Sequence, residues 1–454
     1  VYVGYTTGAP VVADMDQDGQ KEIVVANRSG ILYIIRNNGS ILLQQSFGEQ
    51  VHSAAAVSNL DGDANLEVVF GTMTRNLHVV KIDGSEVSGF PVNHPSPIKQ
   101  GAGLGDLTGN GTPEIVFGLF NNELHVLTAS GDTLENFPIT LDSKIMCKPV
   151  IAHIKTETTE DRYIVVITDN DDLLRIGIDG SITTLYSSPA LLYSQPSLCD
   201  INKDDVLDIL LGTDSGKLYA FNINTGDSLT NFPVLLEGKI RTTPVFADFN
   251  GDGVLEIAVS SEGCYLYVLN SDGSNYTNFP ALFDGLVNGS PCIADVDNDG
   301  DFEVITGGHS GLNVIDISGS KGSQKLWRTF QADNRRTAYY KFETSSSGIS
   351  DNEQLKPTEY SLSQNYPNPF NPATTIAYSL ASNSKVELTI YNLLGQKVRA
   401  LVSGVQPMGV YKMNWDGKND NGRNVVSGIY IYQIKMKGKD NKLRMMTKKM
   451  LLLK

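Results

Sequence analysis

The 454 residues predict an all-β chain, a seven-bladed β-propeller followed by a small immunoglobulin-like β-sandwich. Three observations carry this reading. One acidic motif recurs seven times at a nearly constant interval. Turn formers are abundant, with 43 Gly and 18 Pro, as many short strands require. The charge balance reverses near residue 350: residues 360–454 hold 14 Lys/Arg against 4 Asp/Glu, and residues 1–359 hold 22 against 47.

The repeats come first because self-similarity decides the architecture. Each copy runs from an apolar strand through an acidic loop into a second apolar strand, and the first reads VVADMDQDGQKEIVV from Val11. Loop positions 1, 3, 5 and 9 carry oxygen side chains: Asp14, Asp16, Asp18 and Glu22, then Asn59, Asp61, Asp63 and Glu67, then Asp106, Thr108, Asn110 and Glu114. After a degenerate copy at His153 come Asp200, Asn202, Asp204 and Asp208, then Asp248, Asn250, Asp252 and Glu256, and finally Asp295, Asp297, Asp299 and Glu303. The starts are 45, 47, 47, 47, 48 and 47 residues apart, the length of a four-stranded blade.

Within the first period the strands are read as Pro10–Ala13, Glu22–Ala26, Gly30–Arg36 and Ile41–Phe47. A leucine holds a constant offset in the third strand (Leu32, Leu77, Leu124, Leu218, Leu266), and Phe-Pro pairs begin at Phe90, Phe137, Phe232 and Phe279. Twisted sheets packed radially need such register, because each blade buries its faces only against its neighbours.

The loop chemistry is hard-cation binding. Oxygens at positions 1, 3, 5 and 9, with a backbone carbonyl at 7, can wrap one ion, and the carboxylates would repel one another without it. Calcium fits best, since magnesium demands a stricter octahedron and no His or Cys is present for zinc or copper. About six Ca2+ are expected, with none in the fourth copy: Lys155 stands at its position 3 and the next strand, Tyr163–Ile167, begins late. A single such loop is also what an ordinary acidic turn looks like. Six in register are not.

These copies resemble the FG-GAP or integrin-α type propeller repeat (VCBS-like), over about residues 1–340. The resemblance implies structural ions between the first two strands of each blade and ligands bound by other loops. Glu replaces the more usual Asp at most ninth positions. The tail Trp327–Tyr340 is expected to give the last outer strand and a plug across the blade junction.

Residues 341–358 are polar and serine-rich and read as a linker. Alternation returns in 359–454, with strands expected at Thr374–Leu380, Lys385–Tyr391, Lys397–Val402, Val410–Trp415, Gly428–Met436 and Leu443–Leu453. The segments QNYPNPFNPATTI from Gln364, YNLLG from Tyr391, WDG from Trp415, SGIY from Ser427 and the terminal KKMLLLK from Lys448 resemble the C-terminal sorting domain of type IX secretion cargo, related to the FlgD-type Ig-like domain. That resemblance implies export by an outer-membrane secretion machine and a secreted or cell-surface location. Asp416, Asn419, Asp420 and Asn421 imitate half a cation loop but read as a type I turn.

Other classes fare poorly. Net charge −15 argues against nucleic acid as partner. No apolar run reaches the length of a transmembrane helix. Four cysteines (Cys147, Cys199, Cys264, Cys292) without CxxC spacing read as buried hydrophobes. The chain starts at Val1 without Met or signal peptide and reads as a piece of a longer precursor. HExxH, GxSxG and CxxCH are missing, and the glycines of Gly212–Lys217 are too close for a phosphate loop. His78 and His125 share a strand position with Tyr33, Tyr219 and Tyr267, read as half-exposed. No catalytic residue is assigned. The expected function is binding of a glycan or protein, adhesion or structure; the alternatives are a polysaccharide-active, lyase-like propeller and an accessory domain cut from a larger secreted protease.

Overall fold

Two-residue apolar alternation, broken at short intervals by Gly, Asn and Asp turns, folds the chain into strands, and among the described residues of the computed structural model there is no helix. The structure describes residues 2–343 except 157–158, 193, 298–300, 310 and 318–330, and residues 360–453 except 363–364, 366–367, 369, 372, 381, 407–408, 421 and 439–442. Val1–Ser346 and Ser347–Lys454 form two compact units.

Among the described residues the first unit contains seven sheets, one per repeat, antiparallel except for one strand added to the fourth. Blade 1 orders Val11–Ala13, Glu22–Ala26, Ile31–Ile35 and Ile41–Ser46 side by side, within a residue of expectation. In blades 2, 3, 5 and 6 the fourth strand shrinks to two residues, each directly after a cis Phe-Pro pair. Blade 7 has three described strands, Cys292–Ala294, Phe302–Gly308 and Gly311–Ile317. The second strands of blades 2, 3 and 5 are buried along their whole length, because a sheet stacked between two others has no wet face. The repeated leucines all lie in the core, at most 1% exposed.

A repeated backbone bond shows that the seven sheets are equivalent. The first residue of each turn between strands 2 and 3 donates its N–H to the segment entering that blade: Arg28 to Tyr5, Met73 to Gln50, Phe120 to Pro97, Asp169 to Lys144, Asp214 to Leu191, Glu262 to Lys239 and His309 to Leu286, at 2.8–3.1 Å. These turns and entering segments therefore share one face. The acidic loops, between strands 1 and 2, share the other.

The tail keeps one half of its expectation, the plug. Trp327–Phe330 lie outside the described residues, and the segment that follows is not an outer strand. It passes along the first strands of successive blades: Val12, Val57, Leu104 and Ile151 donate their N–H groups to the carbonyls of Asn334, Arg335, Thr337 and Ala338 at 2.8–3.0 Å. Tyr339–Glu343 then adds to the fourth blade as a strand parallel to Val150–Lys155. First strands have an unpaired inner edge, which this plug satisfies. The expected linker start at Lys341 is corrected accordingly, since Lys341–Glu343 belong to the strand; residues 344–359 lie outside the described residues.

The plug accounts for the odd fourth copy. His153 donates or accepts at both ring nitrogens, 2.7 Å from the Tyr339 hydroxyl and 2.9 Å from Glu160. The second strand begins at Glu160, not at Tyr163 as expected, and pairs back to Lys155, so strand pairing occupies positions that are loop in the other copies. Gly105 of blade 3 leaves space for the Tyr339 ring: a Cβ there would lie 2.4 Å from it.

The second unit is a sandwich of two sheets. One orders Ser361–Leu362, Thr374–Leu380 and Gly409–Trp415; the other orders Lys397–Gln406, Ser384–Tyr391, Gly428–Lys437 and Leu443–Leu452. Buried Trp415, Tyr378, Tyr432, Phe370 and Ile376 fill the space between them.

Candidate metal centres

Six loops share one construction. The ninth-position carboxylate sits at the start of strand 2, where pairing with strand 1 buries it: Glu22, Glu67, Glu114, Asp208, Glu256 and Glu303 are at most 4% exposed. One of its oxygens accepts the backbone N–H of the second loop residue (Met15, Leu60, Leu107, Ile201, Phe249 or Val296) at 2.5–3.0 Å. The first-position side chain is held by N–H groups across the loop. Asp14 takes that of Gly19, Asn59 that of Gly62, Asp106 those of Gly109 and Gly111, Asp200 those of Asp204 and Asp205, and Asp248 those of Gly251 and Gly253. Fifth-position Asp18, Asp63, Asn110, Asp204 and Asp252 each accept the N–H two residues on, at 2.6–2.9 Å.

Loop carboxylates draw together in three of the six copies, whereas Asp200, Asp204 and Asp208, and likewise Asp248, Asp252 and Glu256, do not form such a triad. Carboxylate oxygens of Asp14, Asp16 and Asp18 lie within 4.8 Å of one another, as do those of Asp61, Asp63 and Glu67 and those of Asp295, Asp297 and Glu303. In the third copy Thr108 turns its hydroxyl to Glu114 at 3.0 Å, and in the sixth Asn250 donates to Glu256 at 3.1 Å. Asp299 lies outside the described residues.

The donor set fits a hard cation on a structural ground. Buried oxygens of Asp14, Asp208 and Asp295 have no hydrogen-bond donor among the described residues, and a buried anionic oxygen without a partner is costly. Burial, then the neighbouring loop carboxylates, raises the carboxyls of Glu22 and Glu67, and lifts Asp208 to about 8 and Glu256 to about 7. A cation among these groups would reverse those shifts.

Comparison with known proteins places the repeats. Residues 200–259 and 248–306 match the FG-GAP-like repeat. Residues 4–96 match the λ-carrageenase β-propeller domain, and 371–442 match the FlgD Ig-like domain. No curated protein matches. Among solved structures, BamB from Moraxella catarrhalis is 18% identical over 68% of this chain and 82% of its own, with TM-score 0.46. PorZ, a bacterial surface component of the type IX secretion system of Porphyromonas gingivalis, is 14% identical over 100% and 61%, with TM-score 0.42. The V. cholerae biofilm matrix protein Bap1 is 13% identical over 72% and 81%, with TM-score 0.36. Parts of the chain are thus similar to the FG-GAP-like repeat and to a β-propeller domain, and one C-terminal stretch is similar to the FlgD Ig-like domain.

One expectation changes on inspection, and one residue beside the loops was not foreseen. His78 and His125 are buried, not half-exposed, and each stacks on its cross-strand partner in its own blade, Phe70 and Phe117. Lys81, which the motif spacing did not flag, sends its ammonium into the second loop, ion-paired with Asp61 and 3.5 Å from Asp63. Its signal was a lone lysine at the end of strand 3, legible only once strands 2 and 3 are paired. At Asp416, Arg399 pairs with its carboxylate at 3.1 Å and Lys397 pairs with Asp420 at 3.1 Å; Asn421 lies outside the described residues. No helix among the described residues is long and apolar enough to cross a membrane.

Proposed function

We propose that this chain is a calcium-braced binding module of the cell exterior, whose Ig-like domain serves as its export address. The observation that carries the calcium reading is the set of buried carboxylate oxygens in six equivalent loops, three of which have an oxygen with no donor among the described residues. Residues at loop positions 1, 3, 5 and 9 would hold the ions, and an ion when bound supplies positive charge that joins strands 1 and 2 of its blade. Nothing in this role consumes a substrate. The ions act as braces and leave the opposite face of turns and entering segments free to bind. Isothermal titration of calcium into metal-free protein tests this: several binding events per chain are expected, and none would refute it.

The export role rests on the motifs from Gln364 to Lys454, which resemble a type IX sorting domain, and on the FlgD Ig-like match. Deleting residues 360–454 is expected to retain the protein inside a host that exports the whole chain. A second reading, activity on a polysaccharide, is favoured by the match of residues 4–96 to a λ-carrageenase propeller. Reducing-end release from a panel of anionic polysaccharides separates it from binding alone.

A further inference from the structure

The face opposite the acidic loops carries a second, differently charged feature. Phe120, in the strand 2–3 turn of blade 3, is 47% exposed, and two ammonium groups flank its ring: Lys144 Nζ lies 4.3 Å and Lys99 Nζ 5.8 Å from the centroid. Lys99 and Lys144 stand on the segments entering blades 3 and 4, held there by Ile98 and Ile145, whose side chains pack on Gly71 and Gly118. Further round the ring Arg28 lies 5.8 Å over the ring of Tyr5, itself 68% exposed. His52 stands on the segment entering blade 2. Burial, then the charges of Arg28 and Lys99, make its imidazole harder to protonate.

These cations lack partners. Among the described residues Arg28, Lys99 and Lys144 form no ion pair, although the propeller unit is strongly acidic. Blade 6 shows the contrast: at equivalent positions Lys239 and Arg241 are tied to Asp214 at 3.0 and 2.8 Å. Two lysines converging on one exposed phenyl ring repel each other without an anion between them. The ring offers a flat apolar surface to something that also carries negative charge.

We propose that the arc of Arg28, His52, Lys99, Phe120 and Lys144 binds an anionic polysaccharide, with Phe120 under a sugar ring and the cations on its carboxylate or sulfate groups. The proposal rests on the binding-module reading and names its ligand class. The single exposed ring and the small number of cations select the sugar over nucleic acid. A nucleic-acid backbone needs an extended basic face that this acidic unit lacks, whereas a few cations beside one exposed ring suit a sugar that lays its apolar C–H face on that ring.

The test uses the whole chain in calcium and measures affinity electrophoresis against alginate, dextran sulfate, neutral dextran, single-stranded DNA and poly-glutamate. The expected result is retardation by alginate or dextran sulfate and none by neutral dextran. The Lys99→Glu/Lys144→Glu double variant should lose about tenfold or more in affinity. Phe120→Ala should lose about fivefold at unchanged melting temperature, and Arg36→Glu, elsewhere on the unit, should lose nothing. Equal binding by the double variant overturns the site while the binding module stands. Preference for DNA or poly-glutamate overturns the ligand class. If no polymer is retarded and the calcium titration is also silent, the proposed function falls with it.

Discussion

Single side chains decide how charge is tolerated inside this propeller. Glu49 lies between blades 1 and 2. Burial alone would raise its carboxyl, but hydrogen bonds from Thr74, Thr72 and Asn76 and the nearby His78 outweigh it and hold the group down at about 2. A carboxyl held below its unfolded value stabilises the fold at any pH above about 4.5 and loses that contribution as pH falls toward 2. Glu49→Gln is therefore expected to cost about 2 kcal/mol at pH 7 and to flatten the acid limb of the stability curve, read by urea unfolding at several pH values. Equal curves would show that the three donors are satisfied without the charge. Lys81 acts in the opposite sense, as a resident cation in the second loop. Lys81→Met should tighten calcium binding at that loop about threefold or more, because the ion no longer displaces an ammonium from Asp61. Unchanged affinity in titration calorimetry would mean that Lys81 swings clear at no cost.

At the scale of elements, the plug is what sequence reading could locate but not describe. The strands of blade 1 were legible to within a residue because alternation and the spacing of Asp14 and Glu22 fix both register and turn. In the sandwich Thr374–Leu380 was bounded correctly at both ends, whereas the strand from Lys397 runs four residues past its expected end at Val402 and Ser361–Leu362 was not foreseen. Residues 334–343 carry no such signal. Their partners are edge N–H groups on blades up to 320 residues away in sequence, and the conformation depends on positive φ at Gln331, Ala332, Arg336 and Ala338, none of them glycine. Lys148 ties this segment down from blade 4. Its ammonium is wholly buried, donates to the Arg336 carbonyl and lies 3.4 Å from Gln331 Oε1. Burial pushes it down to about 7, with Asp333 opposing and Arg336 reinforcing the shift. A lysine whose folded value lies below its unfolded one destabilises the fold when charged. Stability should therefore rise as pH climbs from about 7 to about 10.5, where the unfolded chain holds the extra proton. Lys148→Met is expected to remove that rise while leaving the Arg336 carbonyl short of a donor, at a cost of about 1–3 kcal/mol at pH 9. A variant that keeps the alkaline slope would assign it to another group.

The molecule as a whole joins six acidic loops to one sheet ring, and its stability should follow the ions. In the metal-free protein the buried carboxyls of Glu22, Glu67, Asp208 and Glu256 are raised, by burial first and by their neighbours second. Groups raised in the folded state favour folding at low pH, and that contribution drains away as pH rises from about 4 through their folded values, up to about 8 for Asp208. Calcium binding needs the same carboxylates deprotonated, so its stabilising effect grows over the same interval. The two trends oppose each other, and the gap between calcium-loaded and chelated protein should widen with pH. Melting in millimolar calcium against EDTA is expected to differ by about 5–10 °C at pH 8 and by clearly less at pH 5. The fourth blade gives the internal control. Its hairpin is closed by the His153–Glu160 contact and the parallel strand Tyr339–Glu343, with Lys155 beside them, so Glu160→Gln should change the melting temperature equally in calcium and in EDTA. Asp252→Asn in blade 6 should narrow the gap. A gap that is the same at both pH values, or that ignores Asp252, would mean the loops are ordinary acidic turns.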